Sequence, residues 1–341
     1  MVNPVKASIA IATLVSTITL IGFIRYRYIA SRVKLPTENE YKPRKIDWEY
    51  FKSLPNRFAA SYYPQKQTHK NAIIEPILKN EADGKFNVTF IIYSTPENSA
   101  RRQLVRNTWG SIKNFNGVNL FRIFVVGITE DSNVEIGLKS EAENFEDILQ
   151  VNVSDRFLTS PKKSLSAFYW IRNSLQAHTT FYITTLDNCV VNINTVVKFL
   201  LEHQDETTES VHCGYMFEKD TAVIRGSGFR SISKELYPKK TYPPFCRQNL
   251  VILSFPFVKM IHEVSLSTNI SGFNLEDVLL FGILREKLGK ENSIKNIKNG
   301  GKPLVYYPWD ETDKVLLKMK IKWKDWKREL FRAVSSSLIP K

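Results

Sequence analysis

Three features of the 341-residue sequence predict an α/β fold, a mostly parallel twisted sheet flanked by helices. From about residue 85, apolar β-branched runs alternate with segments of helical spacing, the signature of strands joined by crossover helices. One run, Phe181 to Asn194 (FYITTLDNCVVNIN), has the pattern of a buried strand and then abruptly offers Asp187 and Asn188. In open α/β sheets ligands sit beyond the carboxyl ends of strands, so polar groups there face a cleft. A hydrophobic content of 43%, with 12% aromatic, is ample for a packed core and excludes a disordered chain.

Taken in order, Ala7 to Ile24 is an 18-residue stretch without charge, bounded by Lys6 and Arg25. That length is at the lower range for crossing a bilayer, and the stretch is expected to be a single-pass anchor. Residues 1–6 would then form a short tail. Residues 25–84, rich in Lys, Arg, Tyr, Asn and Pro with no sustained period, read as a stem. The basic flank of Arg25, Arg27, Arg32 and Lys34 outweighs Lys6 and, by the positive-inside rule alone, would lie in the cytosol. Three sequons, at Asn87, Asn152 and Asn269, point instead to a lumenal body.

In the body, Phe86 to Ser94 and Leu120 to Gly127 read as strands, separated by a helical segment from Glu97 that Gly110 stops. NVEIGLKSEAENF is helical, DILQVNV a short strand, and Ser164 to His178 a longer helix leading to the central strand. Asn192 and Asn194 look like caps for the helix VVKFLLEH that follows. Val211 to Phe217 and Asn249 to Phe255 read as further strands, flanking a Pro- and Tyr-rich loop suited to walling an acceptor site. Asn274 is a candidate cap for a late helix that carries Glu276 and Asp277 in its first turn, where carboxylates suit the helix dipole. Residues 311–341 form a Lys- and Trp-rich amphipathic helix.

The formal charge of +14 suits phosphate-bearing ligands, but much of it lies in the two flanks, and no nucleic-acid-binding signature accompanies it. Cys189, Cys213 and Cys246 lack metal-ligand spacing, and their odd number permits at most one internal disulfide.

Five motifs in sequence order give the chain a resemblance to the beta-1,3-galactosyltransferase family over roughly residues 85–290. ARRQLVRNTWG is similar to the family's Arg-x-x-Ile-Arg-x-Thr-Trp, with Arg102, Arg106, Thr108 and Trp109 at matching positions, and RIFVVG to its next strand. EAENFEDILQVNVSDRFLTSPKKSL places Glu141, Phe145, Asp147, Asp155 and Lys163 in register. YPKKTYPPFC and LEDVLLFG match the Tyr-Pro-Pro-Tyr-Cys and Glu-Asp-Val-x-x-Gly elements.

The resemblance implies a GT-A type glycosyltransferase domain (residues 85–310), a signal anchor (7–24) and a lumenal body in the Golgi membrane. It implies inverting transfer of a hexose, most readily galactose, from UDP to a glycan of a protein or lipid in β1,3 linkage. Transfer requires cations or aimed donors for the departing diphosphate and a base for the attacking hydroxyl. Arg102, Arg106 and Lys163, with Asp187 and Asn188, are the expected donor-binding residues, and Glu276 or Asp277 the expected base. The family's Asp-Asp-Asp run, which holds Mn²⁺, reads Leu186-Asp187-Asn188 here. Asp187 and Asn188 are the positions left for a metal, and each lost carboxylate removes a unit of attraction for it. That departure keeps an alternative open: a catalytically silent member that binds a glycan or associates with other transferases.

Overall fold

The computed structural model describes residues 72–77, 86–175, 179–203, 211–217, 220–228, 230–289, 293–297, 301–308 and 314–337. The chain divides into two compact units, Met1–Ile46 and Asp47–Lys341. The first unit, and with it the expected tail, anchor and most of the stem, lies outside the described residues. Among the described residues no helix is long and apolar enough to cross a membrane.

The second unit is a mixed α/β fold. Its strands are β1 (Ala72–Ile74), β2 (Phe86–Tyr93), β3 (Asn114–Phe115), β4 (Val118–Ile128), β5 (Ile148–Ser154), β6 (Phe181–Leu186), β7 (Val190–Val191), β8 (Val211–Cys213), β9 (Met216–Phe217), β10 (Phe245–Cys246), β11 (Leu250–Ser254), β12 (Ile294–Asn296) and β13 (Val305–Tyr306). The helices are α1 (Ser99–Arg106), α2 (Ser132–Phe145), α3 (Ser160–Ser174), α4 (Ile193–Glu202), α5 (Phe255–Leu266), the π-wound α6 (Val278–Leu284), its continuation α7 (Arg285–Lys287), and α8 (Val315–Ser337).

The main sheet runs β1-β5-β4-β2-β6-β11-β8-β12, with β3 beside β4. Its centre, β5-β4-β2-β6, is parallel throughout, as the alternation predicts. Beyond β6 the sheet departs from that expectation: β11 pairs antiparallel with both β6 and β8. Nothing in the residues of a strand buried on both faces records its direction, because such runs lack alternation. The stem boundary also shifts. Residues 72–74 lie inside the expected stem, yet they add an antiparallel edge to β5, and Ile77 N–H continues the contact to Glu146 O. Three residues are too few to show a period.

Side-chain alternation along β2 splits the core into two layers. Ile91 joins Leu165, Phe168 and Ile171 of α3 and Phe257 and Ile261 of α5 on one face. Phe90 and Ile92 join Val105, Trp109, Val197, Met319 and Trp326 on the other. The expected C-terminal helix is thus a packing element through Met319 and Trp326, while Leu317 and Ile321 remain exposed.

Local chemistry sets the helix starts. Asp131 accepts hydrogen bonds from Asn133 N–H and Val134 N–H ahead of α2. Asn192 accepts from Thr195 N–H ahead of α4, whereas Asn194 lies within that helix. Ser254 accepts from Phe257 N–H ahead of α5. Cys213 and Cys246 form a disulfide joining β8 to β10, leaving Cys189 as a buried thiol. Of the sequon residues, Asn152 and Asn269 are exposed, while Asn87 lies part-buried in β2 and accepts a hydrogen bond from Asn119 Nδ2 at 3.1 Å.

Candidate active site

Parallel pairing sets Tyr93 beside Leu186, so the residues that follow β2 and β6, Ser94 and Asp187, meet at the carboxyl edge of the sheet. Ser94 Oγ donates to Asp187 Oδ2 at 2.8 Å. The backbone reinforces this, with Asp187 N–H donating to Tyr93 O at 3.0 Å. Lys163, in the first turns of α3, donates to Ser94 O at 2.9 Å and to Asp155 Oδ1 at 2.7 Å. Asp155 is fixed in turn by Gly127 N–H at 2.6 Å. A Cβ at Gly127 would lie 2.3 Å from Val153 O, so this close approach of β4 to the end of β5 requires glycine.

Beside Lys163, Ser164 Oγ donates to Glu276 Oε1. The expected acidic pair therefore arrives at the same edge as Asp187, through the sequence Asp187, Ser94, Lys163, Ser164, Glu276. Within the pair the roles divide. Burial lifts the Glu276 carboxyl to about 7, against the opposing pull of its hydrogen bond from Ser164, the Lys163 charge and the Gln248 amide. Asp277 is less buried and is held by its own helix, Oδ1 accepting Val278 N–H at 2.9 Å. Burial raises Asp277 above the ordinary carboxylate range, while the Arg230 and Arg247 charges draw it down.

The two expected phosphate-binding arginines do not stand in this cleft. Arg102 is fully buried and makes five hydrogen bonds. Two go to Glu141 at 2.8 and 2.6 Å, one to Ser94 Oγ at 3.1 Å, one to Pro96 O at 3.0 Å, and one to Thr95 O. A guanidinium has five N–H donors, and here all are engaged. Arg106 forks onto Asp147 at 2.9 and 2.7 Å and reaches Glu141 at 2.7 Å, with its guanidinium over the rings of Phe124 and Phe145. Both are structural, because residues four apart share one helix face and the carboxylates waiting under that face come from α2 and its exit.

Their neighbour Arg101 turns the other way. Its Nη1 lies 3.4 Å from Asp187 Oδ1, and its side chain keeps 17% exposure. Arg247 also belongs here. Thr185 Oγ1 donates to Asn249 O at 2.7 Å, which lays the segment 247–249 along the end of β6. The Arg247 guanidinium sits over the Tyr307 ring. Ser94, Arg101, Ser164, Arg230 and Arg247 are thus site residues that sequence reasoning missed. Ser94 carried a signal, as the first polar residue after an apolar strand. Arg230 and Arg247 also carried one, since both stand where the sequence departs from the family's motifs.

The position expected to hold Mn²⁺ offers one carboxylate, that of Asp187. Both Asp187 oxygens are engaged, by Ser94 and by a cation, and Asp187 and Asn188 are 4% and 3% exposed. Asn188 brings only a neutral carbonyl, which Cys189 Sγ approaches at 3.9 Å. Among the described residues no group of three or more His, Cys, Asp or Glu side chains could hold a metal ion. Hard divalent ions need several oxygen ligands, mostly charged.

Known proteins with related sequences bear on this site. The curated relatives include Drosophila melanogaster beta-1,3-galactosyltransferase brn, 29% identical over 208 residues that cover 61% of this chain and 62% of that one. Caenorhabditis elegans beta-1,3-galactosyltransferase bre-5 is 31% identical over 181 residues, covering 52% and 55%. Human beta-1,3-galactosyltransferase 1 is 26% identical over 208 residues, covering 59% and 60%. The chain spans about three fifths of the length of the relatives it matches. The galactosyltransferase family profile covers residues 100–295, which include Arg101, Asp187, Arg247, Glu276 and Asp277. With more than half its length inside that profile, the chain belongs to the galactosyltransferase family.

Proposed function

We propose that this protein transfers a hexose, galactose first among them, from UDP to a sugar hydroxyl of a protein- or lipid-linked glycan in β1,3 linkage, with inversion. Family membership and the beta-1,3-galactosyltransferase names of its relatives support the donor and linkage. The observation that carries the reading is the convergence of Asp187, Ser94, Lys163 and the Glu276–Asp277 pair at the carboxyl edge of the central parallel strands.

Asp277 is the general base. It is the more accessible of the two acids, and its cap on Val278 fixes its orientation. Its carboxylate takes the acceptor proton as the acceptor oxygen forms a bond to the anomeric carbon. The bond from that carbon to the diphosphate oxygen breaks on the opposite face, and its electron pair leaves on UDP. Glu276 is a positioning residue, holding Ser164 and the start of the late helix in place. The domain is of GT-A type. The anchor at 7–24 places it in the Golgi membrane with the body lumenal, a reading supported by the exposed sequons and by the disulfide, which an oxidising compartment maintains.

Full-length protein in detergent, given UDP-galactose and a panel of terminal-sugar acceptors, is expected to release UDP in an acceptor-dependent way. Failure with UDP-galactose, UDP-glucose and UDP-N-acetylglucosamine alike would sink the reading. The engaged state of Asp187 favours one second reading, a silent family member that binds glycans or other transferases. That reading expects glycan binding without UDP release.

A further inference from the structure

We propose that arginines take over the diphosphate-neutralising task of the missing metal: Arg101 and Arg247 hold the donor diphosphate, and Asp187 positions Arg101. This rests on the transferase reading above. Asp187 occupies the place at which the family's acidic run would present carboxylates to a cation, and a cation is present there already, as the guanidinium of Arg101. The second Asp187 oxygen is tied to Ser94, so the carboxylate is fixed from both sides and acts as a brace, not as a ligand.

Arg101 is suited to the task by its place on α1. Arg102 and Arg106, on the inward face, are closed into the Glu141–Asp147 cluster, whereas Arg101 lies about 100° round the helix from Arg102 and reaches the strand tips. Arg247 comes from the segment laid along the end of β6. It follows Cys246, which the disulfide anchors, its segment is bonded to Thr185, and its guanidinium is stacked on Tyr307. Its charge opposes the upward push of burial at both Cys189 and Asp277. Two guanidinium forks supply the charge and the directed donors that a diphosphate needs, and they match phosphate oxygens in pairs. The departing UDP then carries its new negative charge toward fixed cations, with no metal ligand to displace.

Calorimetric titration of UDP into full-length protein in detergent tests this. The expected result is binding of equal strength in excess Mn²⁺ and in EDTA, within about twofold. Arg101→Gln and Arg247→Gln should each weaken UDP binding ~10-fold or more, since a hydrogen bond to a charged group contributes ~1.5–3 kcal/mol. Arg101→Lys should recover part of the loss, and Asp187→Asn, which keeps the Ser94 bond, should lose less than Arg101→Gln. Binding that strengthens ~10-fold or more with Mn²⁺ would overturn the inference and leave the transferase reading standing. Metal-independent binding unchanged in both arginine variants would also overturn it. No UDP binding under any condition would sink the transferase reading and this inference together.

Discussion

Glu141 and Glu276 are both carboxylates drawn into the fold, yet their surroundings move their proton affinities in opposite directions. At Glu141 burial pushes the carboxyl up, but bonds and charge from Arg102 and Arg106 outweigh it, and the group ends below its ordinary range. At Glu276 burial is opposed only by Ser164, Gln248 and a lysine already paired with Asp155, and the group ends at about 7. The first region is a closed ionic cluster under α1, in which Arg102, Arg106 and Arg122 share Glu141 and Asp147. The second, some residues away at the strand tips, leaves acids under-compensated. A network of the first kind fixes structure, and one of the second kind stores reactivity.

Three substitutions separate the two regions. The largest effect belongs to Asp277→Asn, expected to slow transfer ~10²–10⁴-fold, the usual span for a lost general base, with unfolding stability little changed. A steady-state assay with a thermal melt checks both. Glu141→Ala comes next. It takes from Arg102 its carboxylate partner and from Arg106 one of two, and should lower unfolding stability by ~3–5 kcal/mol in a urea titration. If it removed activity while leaving stability intact, the contrast drawn between the regions would be wrong.

Glu276→Gln has the smallest effect, and its sign depends on pH. Because the folded group binds its proton more tightly than the unfolded one, wild-type stability falls as pH rises from the ordinary glutamate range through about 7. Above that the carboxylate costs up to ~3 kcal/mol, and glutamine removes that cost. Glu141 has the reverse slope: its contribution is full above the ordinary glutamate range and is lost as pH falls through its depressed value. Denaturant titrations across pH 5 to 8 should show the wild-type decline and its absence in Glu276→Gln.

Much of this arrangement can be read from the residues alone, and the unreadable parts have physical reasons. Strand and helix periods locate β2, β4, β5 and β6 with their crossover helices, and the polar step after β6 marks the cleft edge. The two-residue strands β7, β9, β10 and β13 leave no period to detect. Charge on a helix is ambiguous for another reason. Arg101, Arg102 and Arg106 look alike in sequence, but which of them is closed off depends on Glu141 and Asp147, tens of residues downstream. The late acidic pair was visible as a motif, whereas its division into an inward Glu276 and a capping Asp277 depends on Ser164 from a distant helix.

The disulfide between β8 and β10 has a practical consequence. It closes a loop of 33 residues between Cys213 and Cys246, and by chain entropy such a closure contributes roughly 3–4 kcal/mol. The same link stands next to Arg247 and so anchors one side of the proposed donor site. Protein recovered from a bacterial cytosol, with both thiols reduced, would be deprived of that anchor, so the UDP titration is decisive only on protein in which the Cys213–Cys246 link has formed.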